Sequence, residues 1–153
     1  MKSLAFLLLV ASAVALVYAR LAPSDPATWN IDPNDPSIKP NPKGYLMRAN
    51  GDAPSPVFDA APGMLLEVLE DIALMTPGTE RLAGDPLRRQ LTFLSRSSVL
   101  GLPDYTTVQA AALGARTSLV IYARSRFLPV GKAAHKARVD NWLKALEARL
   151  EAA

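Results

Sequence analysis

The sequence predicts an α+β protein: an N-terminal membrane helix or signal, then an antiparallel meander sheet with two helices packed on one face. Three observations predict it. The chain opens with a charged start, Met1-Lys2-Ser3, and an unbroken apolar run from Leu4 to Ala19. Its second half holds strand-like segments in immediate succession, joined by turns rich in Gly and Pro, with no alternation of strand and helix. Two stretches, one before these strands and one after, carry apolar residues at helical spacing. Successive strands favour antiparallel pairing, and helices grouped outside the run favour one covered face.

Residues 1–19 read as a membrane anchor or a signal peptide. As a helix, Leu4 to Ala19 spans about 24 Å, short of the roughly 30 Å hydrocarbon core. Leu21 and Ala22, with Arg20 reaching to the headgroups, close much of that gap. For cleavage, Val17-Tyr18-Ala19 and Ala11-Ser12-Ala13 both offer small or medium residues at the required places. The absence of cysteine excludes a lipoprotein, a disulfide scaffold and thiolate chemistry. Lys2 precedes the apolar run and Arg20 follows it, so the charge bias is slight; a short charged start favours the amino end in the cytoplasm and the domain outside.

The remainder is one domain in size. Lys and Arg number 17 against 14 acids, a formal +3, and Lys2 belongs to the leader, so the rest is close to neutral. No groove-sized run of Lys and Arg occurs, which argues against nucleic acid as a partner.

Residues 20–43 hold Pro23, Pro26, Pro33, Pro36, Pro40 and Pro42 among Asp, Asn and Ser. Proline lacks an amide donor and restricts its predecessor, so this stretch is expected to contain no regular helix or central strand. It reads as a linker or as a loop laid over the domain, with Trp29 and Ile31 as points of attachment. The domain, 44–153, begins with short edge strands at Gly44–Arg48 and Ser55–Ala60, the second interrupted by Pro56. Met64–Met75 is an amphipathic helix on Leu65, Val68, Leu69 and Ile72, with Pro62 in its first turn. Glu80–Ala83 reads as a short strand. Three longer strands follow at Arg89–Ser98, Asp104–Ala111 and Ala115–Phe127, turned at Leu100-Gly101-Leu102-Pro103 and at Gly114. A helix from about Gly131 to Ala152 closes the chain, striped by Val139, Trp142, Leu143, Leu146 and Leu150. A curved sheet would clasp this helix, as helix-grip lipid-binding domains do.

No cofactor, phosphate-loop, nucleophile-elbow or zinc-protease motif is present, and no cofactor is expected. His135 is the sole histidine; without a second imidazole or thiol, no metal site is expected. One constellation stands out. Ser95-Arg96-Ser97-Ser98 ends one strand and Arg124-Ser125-Arg126 ends another, and in a meander both ends meet the start of the middle strand at Asp104 and Tyr105. Arg96, Arg124 and Arg126 share parity, so with Phe93, Leu119 and Ile121 facing the core they point to the opposite face. Two readings follow. Asp104 pairs with the arginines and fixes the sheet end, or the group Arg96, Arg124, Arg126, Asp104 and Tyr105 takes an anion on a spare guanidinium fork.

Several segments together resemble the bacterial family called domain of unknown function 1499: Leu21-Ala22-Pro23-Ser24-Asp25-Pro26 with Trp29 and Asp32-Pro33, Ser95-Arg96-Ser97, Gly101-Leu102-Pro103-Asp104-Tyr105, Tyr122-Ala123-Arg124-Ser125-Arg126-Phe127 and Ala137-Arg138-Val139-Asp140-Asn141-Trp142-Leu143. The resemblance implies an N-terminal membrane segment and carries no established activity. Ahead of the last helix the chain departs from the family pattern, with Val130-Gly131-Lys132-Ala133-Ala134-His135-Lys136 in place of an acid, a glycine and an Asn-Arg pair. The expected function is a non-enzymatic binding or accessory module, held in the membrane by residues 4–19 and facing the periplasm from the inner membrane, or else secreted to the periplasm. Its expected partners are an anionic ligand or another envelope protein. Two alternatives stand beside it: a carrier of a lipid or small anion in a helix-grip cavity, and a hydrolase or isomerase using Asp104 as base.

Overall fold

The computed structural model describes residues 1–128 and 131–153; Val130, in the departure from the family pattern, lies outside them. The element order is α1 (Lys2–Leu21), α2 (Pro26–Trp29), β1 (Gly44–Met47), β2 (Val57–Phe58), α3 (Pro62–Leu74), β3 (Thr79–Asp85), a 3-10 turn at Pro86–Arg88, β4 (Gln90–Arg96), β5 (Pro103–Leu113), β6 (Arg116–Ser125) and α4 (Lys132–Glu151). The strands form one antiparallel six-stranded sheet in the order β1-β6-β5-β4-β3, with β2 joining β6 on the same side as β1. The α+β meander expected from the sequence is the architecture found.

Alternation along the strands decides what each face carries. Leu91 and Phe93 on β4, Val108 and Ala110 on β5, Leu119, Ile121 and Ala123 on β6, and Tyr45 and Met47 on β1 are buried together with both long helices. Helix α3 supplies Leu65, Leu66, Leu69, Ile72 and Ala73, and α4 supplies Val139, Trp142, Leu143 and Leu146. Val68 and Leu150, read as members of these stripes, are half-buried at their margins. Phe93 meets Trp142 edge to face, 5.5 Å between ring centroids, and the indole N–H donates to Thr76 Oγ1 at 2.8 Å. This interior is filled by side chains, including Tyr45, Phe93, Leu119 and Leu146, so the space between sheet and α4 is core rather than a helix-grip cavity.

Most element boundaries differ from expectation by one to three residues, and three differences go further. Helix α1 runs on to Leu21, past Ala19, which gives a rod of about 30 Å. It is the one helix among the described residues long and apolar enough to cross a membrane, and only 6% of its most apolar window is buried, which excludes a core helix. The proline-rich segment, expected to hold no helix, makes a single turn at α2. Pro26 occupies the first position, where no amide is needed, and the Asp25 carboxylate accepts from the Ala27 N–H at 3.0 Å. The strand expected at Ser55–Ala60 is only Val57–Phe58. Pro56 sits at its entrance, where its carbonyl accepts from the Leu119 N–H.

The junction between α1 and the domain is tight. Ala19 and Ala22 are buried, and Tyr18 meets Phe127 edge-on at 6.3 Å. Gly101, in the β4–β5 turn, has φ +67°, a backbone angle that favours glycine, and it lies against the Arg20 side chain. In the opposite layer, Trp142→Ala removes an aromatic ring that is only 4% exposed and strands the Thr76 hydroxyl. It is expected to cost about 3–5 kcal/mol, read as a lowered urea midpoint at unchanged m value, with Trp142→Phe recovering part of the loss.

Candidate functional site: the arginine face and its strap

The sheet face turned away from the helices bears Gln90, Thr92, Leu94 and Arg96 on β4, Pro103, Tyr105, Thr107 and Gln109 on β5, and Tyr122 and Arg124 on β6, as their cross-strand register requires. The proline-rich segment lies over it as a strap. Trp29 stacks on Tyr105, 3.9 Å between centroids and 8° between planes, and the Asn30 side chain accepts from Thr92 Oγ1 and Gln90 Nε2, each at 2.8 Å. Ser24 and Tyr105 share a hydroxyl–hydroxyl bond of 2.7 Å. Attachment through Trp29 is therefore as the sequence indicates.

Arginines hold the strap by its carbonyls. Arg96 donates to the Arg20 carbonyl at 2.9 Å, Arg126 to the Pro23 carbonyl at 2.8 Å, and Arg124 to the Trp29 carbonyl. Further along, Arg48 donates to the Pro33 and Asp35 carbonyls, both at 2.9 Å, and to that of Ile38. None of these four arginines has a carboxylate partner among the described residues. Arg124 is the extreme case. It is 6% exposed, donates also to Thr107 Oγ1 and the Tyr122 carbonyl at 3.0 Å each, and lies near the Trp29 and Tyr122 rings, 5.8 and 5.0 Å from their centroids. Burial pushes its pKa down to about 10, against the pull of the neighbouring tyrosines, so it is still a cation at neutral pH.

Arg124 also forms part of the wall of an open pocket of about 380 Å³ at the strap's edge. Trp29, Ile31, Ile38 and Tyr122 give it apolar sides; its charged lining is Arg124, Lys39 and Lys43, with no acid. Arg96 and Arg126 stand apart from it, at the end of the sheet where the strap begins. The expected grouping is thus partly met. Arg96, Arg124, Arg126 and Tyr105 share one face, but Asp104 does not belong with them. As the immediate neighbour of Tyr105 in β5 it must point the other way, and it faces α4, where Arg138 pairs with it at 3.2 Å. The lysines were missed because they sit in a segment read mainly as linker.

Around Asp104 a second polar cluster is buried under α4. Arg138 Nη2 contacts both Asp104 Oδ2 and His135 Nδ1, the latter at 3.0 Å, and His135 Nε2 lies 3.0 Å from Ser125 Oγ. Thr106 Oγ1 and Arg138 Nε are buried on the same side without a hydrogen-bond partner among the described residues. A serine beside an imidazole suggests nucleophilic catalysis, but the tautomer forbids it. A guanidinium can only donate, so Nδ1 must be the acceptor and the ring proton sits on Nε2, pointing at the serine. This histidine therefore cannot take the serine proton. His135 and Asp104 are also 0% and 5% exposed, so no substrate reaches either. The position of His135 was visible in principle, since it stands one helical turn before Val139 and so continues the buried stripe. Among the described residues no group of His, Asp or Glu could hold a metal ion.

Comparison with known proteins finds no family model, no curated protein and no solved structure that matches this chain.

Burial lowers the His135 pKa and Arg138 adds to this, while Asp104 and the Lys43 carbonyl oppose it. The unfolded chain therefore binds a proton near pH 6.5 that the folded chain takes up only at lower pH. The resulting stabilisation is complete above that value and is lost as pH falls from about 6.5 toward the lowered folded pKa. Urea titrations at pH 7.5 and 5.5 are expected to show a larger loss in the wild type than in His135→Gln; equal losses would mean that the imidazole is not kept neutral by the fold.

Proposed function

We propose that the chain is a membrane-tethered, non-enzymatic binding module of the bacterial envelope, with its domain facing the periplasm, and that it takes an anionic group in the pocket at Arg124, Lys39 and Lys43. One observation carries the proposal. Arg124 is a buried cation with no carboxylate beside it, at the wall of an open pocket whose other charges are also positive. Its three hydrogen-bonded groups are neutral, and a guanidinium has five N–H donors, so donor capacity remains. The strap carbonyls satisfy geometry but leave the charge uncompensated, which an anion would correct. Trp29, Ile31 and Tyr122 suit a flat apolar body behind the charged group, so an aromatic or alkyl carboxylate or phosphate fits best.

The rival readings have less support. A lipid carrier needs an enclosed cavity, and the sheet–helix interior is filled. A hydrolase or isomerase using Asp104 needs an accessible base, and that carboxylate is roofed by α4 and paired with Arg138. Helix α1 supports the tether by length and composition, as does the resemblance to domain of unknown function 1499.

The test uses exposed residues so that folding is preserved. Benzoate and phenyl phosphate, against chloride at equal ionic strength, are expected to raise the melting temperature of the wild type in proportion to the logarithm of their concentration. Lys39→Ala with Lys43→Ala should fold normally and lose most of that shift. Equal shifts in both proteins would remove the proposed site.

A further inference from the structure

Helix α1 does not simply lead into the domain; its second half runs alongside it. A groove of about 440 Å³ separates Ser12, Ala15, Leu16 and Ala19 on the helix from Leu102, Phe127 and Leu128 on the domain, and its walls are mainly apolar. Tyr18 and Phe127 touch across this junction, and Ala19 and Ala22 are buried in it. About 14 Å of helix separates Ser12 from Leu21, so the domain reaches down to the middle of the only span the described residues contain.

Length then decides where the bilayer lies. If the part of α1 beside the domain stood in water, only the residues before Ser12 would remain in the membrane, about 15 Å of helix, half the thickness needed to cross. The apolar residues at this end of the domain are placed accordingly. Val99 is 85% exposed and Leu100 37% in the β4–β5 turn, and Leu128, just beyond β6, is 61% exposed. Arg96 and Arg126 stand at the same end, bonded to the carbonyls of Arg20 and Pro23 where α1 passes into the strap. Guanidinium groups ringing an apolar tip are the arrangement that meets headgroup phosphates above a hydrocarbon layer.

We infer that the domain is seated in the membrane: the β4–β5 turn at Val99–Leu100 and the Phe127–Leu128 segment enter the leaflet alongside α1, with Arg20, Arg96 and Arg126 at the level of the headgroups. The occupant of this apolar surface is the acyl layer of the bilayer that α1 crosses. The inference rests on the tethered reading of α1 and is independent of the anion pocket.

The chain has no cysteine, so single thiols can be placed in the full-length protein without further change. Leu9→Cys in α1, Val99→Cys and Leu128→Cys at the tip, and Leu87→Cys in the exposed 3-10 turn at the far end are labelled with an environment-sensitive fluorophore. The proteins are placed in nanodiscs of phosphatidylethanolamine and phosphatidylglycerol, with or without bromine on the acyl chains. Quenching by brominated lipid at Leu9, Val99 and Leu128, and not at Leu87, is the expected result. Quenching at Leu9 alone overturns the seating while leaving the tether intact. No quenching at Leu9 overturns the tether and the seating together. Shielding of Val99 and Leu128 that is insensitive to bromine and vanishes at one chain per disc assigns the surface to a second copy and overturns the inference.

Discussion

The arrangement depends on a supply of hydrogen-bond donors. A segment with six prolines in residues 20–43 cannot join the sheet or form long helices, yet it must lie against a sheet face that carries Tyr105, Thr107 and Leu94. Its carbonyls need partners that its own backbone cannot provide. Arg48, Arg96, Arg124 and Arg126 provide them, each reaching from the end of a strand to a strap carbonyl. Arginine suits this task better than lysine because its planar fork serves several acceptors at once and its charge survives burial. The sheet is thereby covered on both faces by different means, apolar helices on one and a donor-clamped strap on the other.

Those means leave different electrostatic balances behind. Under α4 the charges are matched: Arg138 meets Asp104, and the neutral imidazole of His135 accepts from the same guanidinium. Such a cluster is expensive to bury and strongly directional, so it fixes how α4 sits on the sheet. On the strap face the cations meet only dipoles and rings. The four arginines that clamp the strap therefore carry charge that no carboxylate balances, although the domain as a whole is nearly neutral.

Much of this was legible. Period-two parity put Arg96, Arg124 and Arg126 on the face away from Phe93, Leu119 and Ile121, and the density of turns gave the meander. The same parity separates Asp104 from them, because its neighbour Tyr105 occupies the arginine face and two consecutive strand residues cannot share it. The apolar stripe of α4 starts at Val139 because the turn before it is polar, and a polar pair such as buried His135 and half-buried Arg138 gives no apolar signal. The strap was legible at Trp29; the rest of its path is fixed largely by bonds to backbone carbonyls, which every residue possesses.

The strap also sets an order of events. The carbonyls of Trp29 and Pro23 are bonded by Arg124 and Arg126, at sequence separations of 95 and 103 residues. This segment is among the first parts of the chain to be synthesised, yet these two partners come into place only when the last strand has paired. Closing so long a loop carries an entropic cost that local contacts cannot offset early. Those two clamps therefore cannot close before β6 has joined the sheet, and Tyr105, on which Trp29 stacks, stays open to solvent until the strap reaches it.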